Sequence, residues 1–386
     1  MQPKEKINGV NLGNWLVLEK WMSPALFEEY GVEDEIWLHR TVTGQALETC
    51  LQNHRDRYIT REDFRNIAAH GMNLVRIPVP FFVFGDRAGH PGCIAYLDKA
   101  MEWAEEFGIL VLIDLHTVEG SQNGYDNGGL TGVCKWHKNS TEVDFSLSVL
   151  ERLGRRYGTR KGLFGIEVLN EPISWLVYKT APSTGKAREK SEAAGSGYVP
   201  MKFLKAFYQE AYSRLREVLP KDKTIVFHDG FRLGAWKNFF VKEKMENVML
   251  DTHIYIDAME LFMPVPVFWI YKLFVRYNKH LIHGAARYTP VLVGEWNIEN
   301  RRADRLAARG ATMAEREALR CAAYRQVAAL ELDAYQSSAG CVYWNYQLEK
   351  EHIGPECRKE NGDSLEGWDL VRTWNHGWLP EGEEQG

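Results

Sequence analysis

The sequence predicts an α/β fold, a single (β/α)8 TIM barrel with extended βα loops. Three observations lead there. Eight short apolar runs are separated mostly by segments of helical spacing, the order expected of parallel strands with crossover helices. The polar residues of those runs gather at their C-terminal ends and come from many strands. No GxGxxG turn follows the first strand, which argues against a doubly wound open sheet binding at one switch point. At 386 residues and 45% hydrophobic, the chain can bury the core of one large barrel, and residues 1–386 are read as one domain.

Taken in order, residues 10–18 are expected to give the first strand and its loop, with Glu19 directly after. Residues 25–50 are helical in part, anchored by Trp37 and Leu38. Residues 60–71 form a cleaner helix: Thr60 and Asp63 make a capping box, Phe64, Ile67 and Ala68 make one apolar face, and Gly71 stops it. Residues 73–78 are a strand whose single charge is Arg76, and a buried arginine must be paired. A helix over 94–107 ends at Gly108. The strand over 109–116 carries Asp114 inside and His116 at its end. The loop over 117–132 is polar, ordered, and holds Tyr125, Asp126 and Asn127. Residues 144–157 are amphipathic and lead into a run over 163–172 with the sequence LFGIEVLNEP. Pro172 cannot donate to a ladder, so pairing stops there and leaves Asn170 and Glu171 at the sheet's mouth.

The second half repeats this pattern. Residues 182–197 are rich in Ser, Gly, Ala and charge, and are expected to be a mobile insertion, about 176–200, after the fourth strand. A helix over 201–219 precedes strands over 224–228 and 248–255, the latter ending in His253 and Tyr255. The strand over 290–295 ends in Glu295 beside Trp296. A helix over 313–335 precedes the last strand, 340–344, which ends in Trp344. A C-terminal extension follows from about residue 350.

Composition narrows the function classes. A net charge of -5 with scattered Lys and Arg leaves no nucleic-acid footprint. Six cysteines show no CxxC and no dense framework, so reduced thiols and an intracellular, cytoplasmic setting are expected. The first residues lack a secretory apolar core, and the apolar stretch at 262–274 is broken by Pro264, Pro266 and Lys272, so no membrane partner is expected. The 13 tryptophans suit the flat C–H faces of sugars, although they are also good core material. Neither HxH nor HExxH spacing is present, and no metal or other cofactor is expected.

The pieces GVNLGNWLVLEKWM, GMNLVRIP, YLDKAMEWAEEFG, DLH with EGSQNGYDNGG, EVLNEP, HIY and GEW follow one another at barrel spacing. Together, from about Gly9 to Trp344, they resemble glycoside hydrolase family 5, and within it the exo-β-1,3-glucanase group. The resemblance implies that Glu171 is the acid/base and Glu295 the nucleophile of a retaining glycosidase. It places Arg76, His116, Asn170, His253, Tyr255 and Trp344 around the sugar at the cleavage point. Glu19 and Asn127 match positions that hold the hydroxyls of the terminal glucose, and Tyr125 is either a pocket wall or a packing residue. The implied partner is a β-glucan oligosaccharide or β-glucoside, cleaved from the chain end.

Elementary chemistry agrees with these assignments. Retention needs one carboxylate to form a glycosyl ester and one carboxylic acid to protonate the leaving oxygen, about 5–5.5 Å apart. Arg76 is expected to keep Glu295 ionised, and apolar surroundings with a negative partner to raise the pKa of Glu171. Two departures bear on the substrate. The loop after the third strand opens with Thr117-Val118-Glu119 where the group has small residues and proline. Residues 258–277 are unusually apolar, which suits either a packed helix or an apolar wall beside the leaving group. The alternative readings are a β-glycosidase or diglycosidase acting on small aglycones, and a non-catalytic sugar-binding barrel. Two opposed carboxylates argue against the last.

Overall fold

A computed structural model describes residues 5–180, 186–262, 265, 267–349 and 365–380. Eight parallel strands close into a barrel in sequence order: β1 (Ile7–Asn11), β2 (Leu74–Val79), β3 (Leu110–Leu115), β4 (Leu163–Glu167), β5 (Thr224–His228), β6 (Val248–His253), β7 (Val291–Trp296) and β8 (Gly340–Tyr343). β1 pairs with β2 on one side and with β8 on the other, Ile7 opposite Gly340. The expected barrel is therefore present, with the first strand earlier than expected. Residues 12–18 lie beyond it as a buried loop rather than within the strand.

The helices follow from local sequence. Ile94–Phe107 ends where Gly108 takes a left-handed φ of 72°, a conformation that costs glycine nothing. Arg61–Ala69 starts at the expected box, the Asp63 carboxylate accepting from the Thr60 N–H at 2.7 Å. Buried faces of Ser140–Tyr157, Met201–Val218 and Met313–Ala334 pack around the strands in one large apolar cluster.

Inside the barrel the side-chain period of two sorts apolar from polar. Ile7, Leu74, Leu112, Val226, Met249, Leu292 and Val342 pack as one apolar layer. Two residues further along stand Arg76, Asp114, His228, Asp251 and Trp344, and two beyond Asp114 and Asp251 stand His116 and His253. The floor is therefore dry and the C-terminal mouth polar, as packed barrels of this kind require.

The stretch expected to be a mobile insertion makes contacts with its surroundings where it is described. Arg188 donates to the Gly31 carbonyl and to Glu33, each at 3.0 Å, and the buried Val199 donates to the Ile173 carbonyl at 2.9 Å. Residues 181–185 lie outside the described residues, as do 350–364. The later tail does not hang free. Asn345 N–H donates to the Trp368 carbonyl and Leu370 N–H to the Asn345 carbonyl, stitching residues 365–378 to the end of β8. Cys50, Cys93, Cys134, Cys321 and Cys341 are free thiols.

Candidate active site

Arg76 is the hub of the barrel mouth and is fully buried. Its Nε donates to Glu167 at 2.7 Å, Nη1 to Asn11 and Glu295 at 3.0 Å each, and Nη2 to Asn170 at 2.9 Å, with Asp114 3.1 Å from Nη2. The pairing demanded of a buried arginine is met by three carboxylates. Asp114 also holds His116 at 2.5 Å. Gln122 donates to the carbonyls of both His116 and Asn170, tying the ends of β3 and β4 together.

A bulge aims Glu295. Thr252 opposes Val293 and His253 opposes Glu295, so Gly294 is an extra residue in β7, and the same excess appears against β8 between Val293 and Trp296. Gly294 N–H donates to Asp251 at 2.6 Å, and a Cβ there would lie 2.0 Å from the Asp251 carboxylate, so only glycine fits. Glu295 then accepts from Arg76 on Oε1 and from Tyr255 on Oε2 at 2.5 Å.

Glu171 stands four residues beyond β4. Its φ of 43° is left-handed rather than extended, a strained state for a non-glycine residue that turns the carboxylate across the mouth. Oε1 lies 2.8 Å from His253 Nδ1, and Oε2 accepts from Asn127 at 2.8 Å. His253 Nδ1 is also 3.3 Å from Glu295 Oε2. Both carboxylates thus touch one nitrogen and face each other across the barrel mouth.

The electrostatics differ from expectation in one respect. Burial pushes Glu171 up, but the hydrogen bond and charge of His253, with Asn127 and His116, outweigh it, and its pKa lies below the ordinary glutamate value rather than above it. Burial instead raises Glu295, against the pull of His253 and Arg76. Burial alone would lower His253; the charges of Glu295 and Asp251 raise it well above the ordinary histidine range. The two shifts run in opposite directions, down for Glu171 and up for His253, across a contact of 2.8 Å.

Eight of the eleven predicted site residues, namely Arg76, His116, Asn127, Asn170, Glu171, His253, Tyr255 and Glu295, form one connected polar cluster. The other three adjoin it. Trp344 stacks on His116 with ring centroids 5.6 Å apart, and a Cβ on Gly13 would strike its ring. Tyr125 is half-buried, its hydroxyl raised first by burial and then by the charge of Glu171. Glu19 accepts from Trp21 on Oε2 at 2.8 Å, while its buried Oε1 is left without a hydrogen-bond partner. Burial and the neighbouring charge of Asp126 raise its pKa well above the ordinary value.

Sequence reasoning missed Glu167, Asp251, Asn11, Gln122 and His228 as parts of this network. Glu167 and Asp251 were visible as lone acids inside apolar strands, the same signal that marked Arg76. Glu171, His228 and His253, and separately Glu167, Asp251 and His253, each bring three possible metal-ligand atoms within 4.8 Å of one another. In both groups the nitrogens of His253 already meet carboxylates at hydrogen-bond distances, 2.8 and 3.2 Å.

Comparison with known proteins places this geometry in a family. Residues 39–349 match the model for "Cellulase (glycosyl hydrolase family 5)". The chain belongs to glycoside hydrolase family 5. Family 5 relatives include two named "Probable glucan 1,3-beta-glucosidase A". The protein from Emericella nidulans is 35% identical over 76% of this chain and 67% of its own length, and that from Aspergillus terreus 30% over 97% and 88%. Two crystal structures, of AoRut and of rutinosidase from Aspergillus niger, each share 22% identity and cover 97% of this chain, with 97% and 98% of their own lengths matched. Their TM-scores of 0.72 and 0.71 establish a common fold. As a member of family 5, the protein is a glycoside hydrolase.

Proposed function

We propose that the protein is a retaining β-glucosidase acting from the chain end on β-1,3-linked gluco-oligosaccharides. The observation that carries this reading is the pair of opposed carboxylates meeting at His253 Nδ1, as a mechanism with one acid and one nucleophile needs. Glu295, ionised against Arg76 and Tyr255, attacks the anomeric carbon and forms a glycosyl ester. The proton held by Glu171 and His253 passes to the leaving oxygen, and Glu171 then takes a proton from the water that hydrolyses the ester. Asn170, oriented by Arg76, faces the 2-hydroxyl. The unfilled acceptor on Glu19 suits a hydroxyl of the terminal glucose, in keeping with the glucan 1,3-β-glucosidase relatives.

Proton NMR during hydrolysis of laminari-oligosaccharides, with aryl β-glucosides alongside, tests the reading. Glucose is expected first as the β-anomer. Initial α-glucose overturns retention, and turnover of the aryl glucoside alone shifts the assignment to small-aglycone glycosides.

The shared proton also fixes a pH dependence. Below its acid limb the enzyme carries protonated Glu295, which cannot attack; because burial raises that group, the limb of kcat/KM is expected above the ordinary glutamate value of 4.5. Above the basic limb the Glu171–His253 pair has lost its proton, and that limb is expected above the ordinary histidine value of 6.5. In His253→Gln the proton must sit on Glu171 itself, so the basic limb moves to lower pH. An unmoved basic limb in that variant assigns the proton elsewhere.

A further inference from the structure

The Phe268–Ala286 helix buries Tyr271, Val275, Ile282 and Ala285 against the barrel. Its opposite face is also apolar. Trp269, Leu273 and Tyr277, one turn apart, are 60%, 54% and 61% exposed, and Leu261 and Phe262 in the preceding turn are more exposed still. Lys272 and Arg276 run beside them as an exposed cationic ridge. Residues 261–287 contain four Lys or Arg and no Asp or Glu, in a chain of net charge -5. From the helix behind, Asp333 neutralises Lys279 at 2.7 Å and leaves the ridge itself cationic.

In sequence this face follows directly on the active site. β6 delivers His253, Tyr255 reaches Glu295, and the short Ile256–Glu260 helix leads straight into Leu261 and Phe262. Trp175 and Leu176, also exposed, follow Glu171 at the start of the short Trp175–Thr180 helix after β4. Exposed apolar residues therefore follow in sequence on both elements that bear the Glu171–His253 pair.

We propose that this face rests on an anionic lipid surface and that the enzyme takes β-glucosyl lipids from it, a deepening that rests on the β-glucosidase reading. An apolar ridge with tryptophan and tyrosine, flanked by cations, is the composition of a helix lying in the headgroup layer. It does not cross the layer: among the described residues no helix is long and apolar enough to span a membrane. A second copy of the chain is a poorer occupant, because a two-fold contact would set Lys272 and Arg276 against themselves. A soluble aglycone is poorer too, since the ridge from Trp269 to Tyr277 is convex and runs about 12 Å along the helix. The bond cleaved is the glucosidic one; the lipid hydroxyl departs with the proton of the Glu171–His253 pair, and water completes the sugar. The proposal departs from the expectation of no membrane partner.

Flotation with phosphatidylcholine vesicles containing phosphatidylglycerol tests the surface, whether or not any substrate is turned over. Wild type is expected to float with these vesicles and not with phosphatidylcholine alone. Lys272→Glu and Arg276→Glu are each expected to weaken binding by about fivefold or more, and a Trp269→Ser, Leu273→Ser, Tyr277→Ser variant to abolish it. All variants are expected to hydrolyse a soluble aryl β-glucoside at the wild-type rate, and to lose hydrolysis of β-glucosylceramide presented in the vesicles. No flotation of wild type overturns the proposal. So does a dimer by light scattering that the same substitutions dissociate without any vesicle binding. Flotation and aryl glucoside turnover without glucosylceramide hydrolysis overturn the substrate assignment. Failure to cleave the aryl glucoside counts instead against the β-glucosidase reading.

Discussion

Glu295→Ala is expected to abolish turnover of aryl β-glucosides, by about 10⁴-fold or more, as removing a nucleophile that acts as part of a unit does. Azide added to this variant is expected to restore activity and to yield the α-glucosyl azide, because the small anion enters from the face the carboxylate has vacated. Glu171→Ala has a different signature. A dinitrophenyl leaving group departs without a proton, so the first step survives, while oligosaccharide hydrolysis falls by about 10²–10⁴-fold. Azide then intercepts the glycosyl ester from the opposite face and gives the β-glucosyl azide. Anomers exchanged between the two variants would reverse the roles. The same anomer from both would remove the double-displacement mechanism altogether.

Arg76→Met is expected to destabilise the fold by about 3–5 kcal/mol, measured by urea denaturation. Its guanidinium lies within 3.1 Å of Asp114, Glu167 and Glu295, all in the buried mouth of the barrel. A thioether of similar length leaves those carboxylates unpaired in a site with little water to solvate them. Adding Glu167→Gln, which removes one of the stranded charges, is expected to recover part of the loss. A double variant no more stable than the single one would show that the arginine contributes through shape rather than charge. Activity is expected to be lost in both, since Glu295 and Asn170 lose their common anchor.

Much of this architecture was legible because buried parallel strands advertise themselves. The run over 224–228 and the helix over 94–107 coincide with the observed Thr224–His228 and Ile94–Phe107, since unbroken apolar runs and a terminal glycine leave little ambiguity. β1 was harder. Only five residues long, preceded by Lys6 and carrying Asn8, it takes its register from Gly340 and Leu74, which lie far away in sequence. The glutamates were legible from their strand ends, and the need of Arg76 for a partner from its apolar surroundings. The raised pKa of His253 was not. It depends on Asp251 and two glutamates brought together across the mouth, and on a bulge at Gly294 that a run of small and apolar residues does not announce.

The stitching of residues 365–378 to β8 changes what counts as the catalytic unit. Trp368 packs its ring 5.1 Å from Tyr255, the residue bonded to Glu295, and 5.0 Å from Trp21, the donor to Glu19. One indole thus braces the partner of each carboxylate, although Glu19 and Trp368 both fall outside the matched span of 39–349. A fragment cut to that span would retain Glu171, Glu295 and most of the barrel yet lose β1, Glu19 and the aromatic brace.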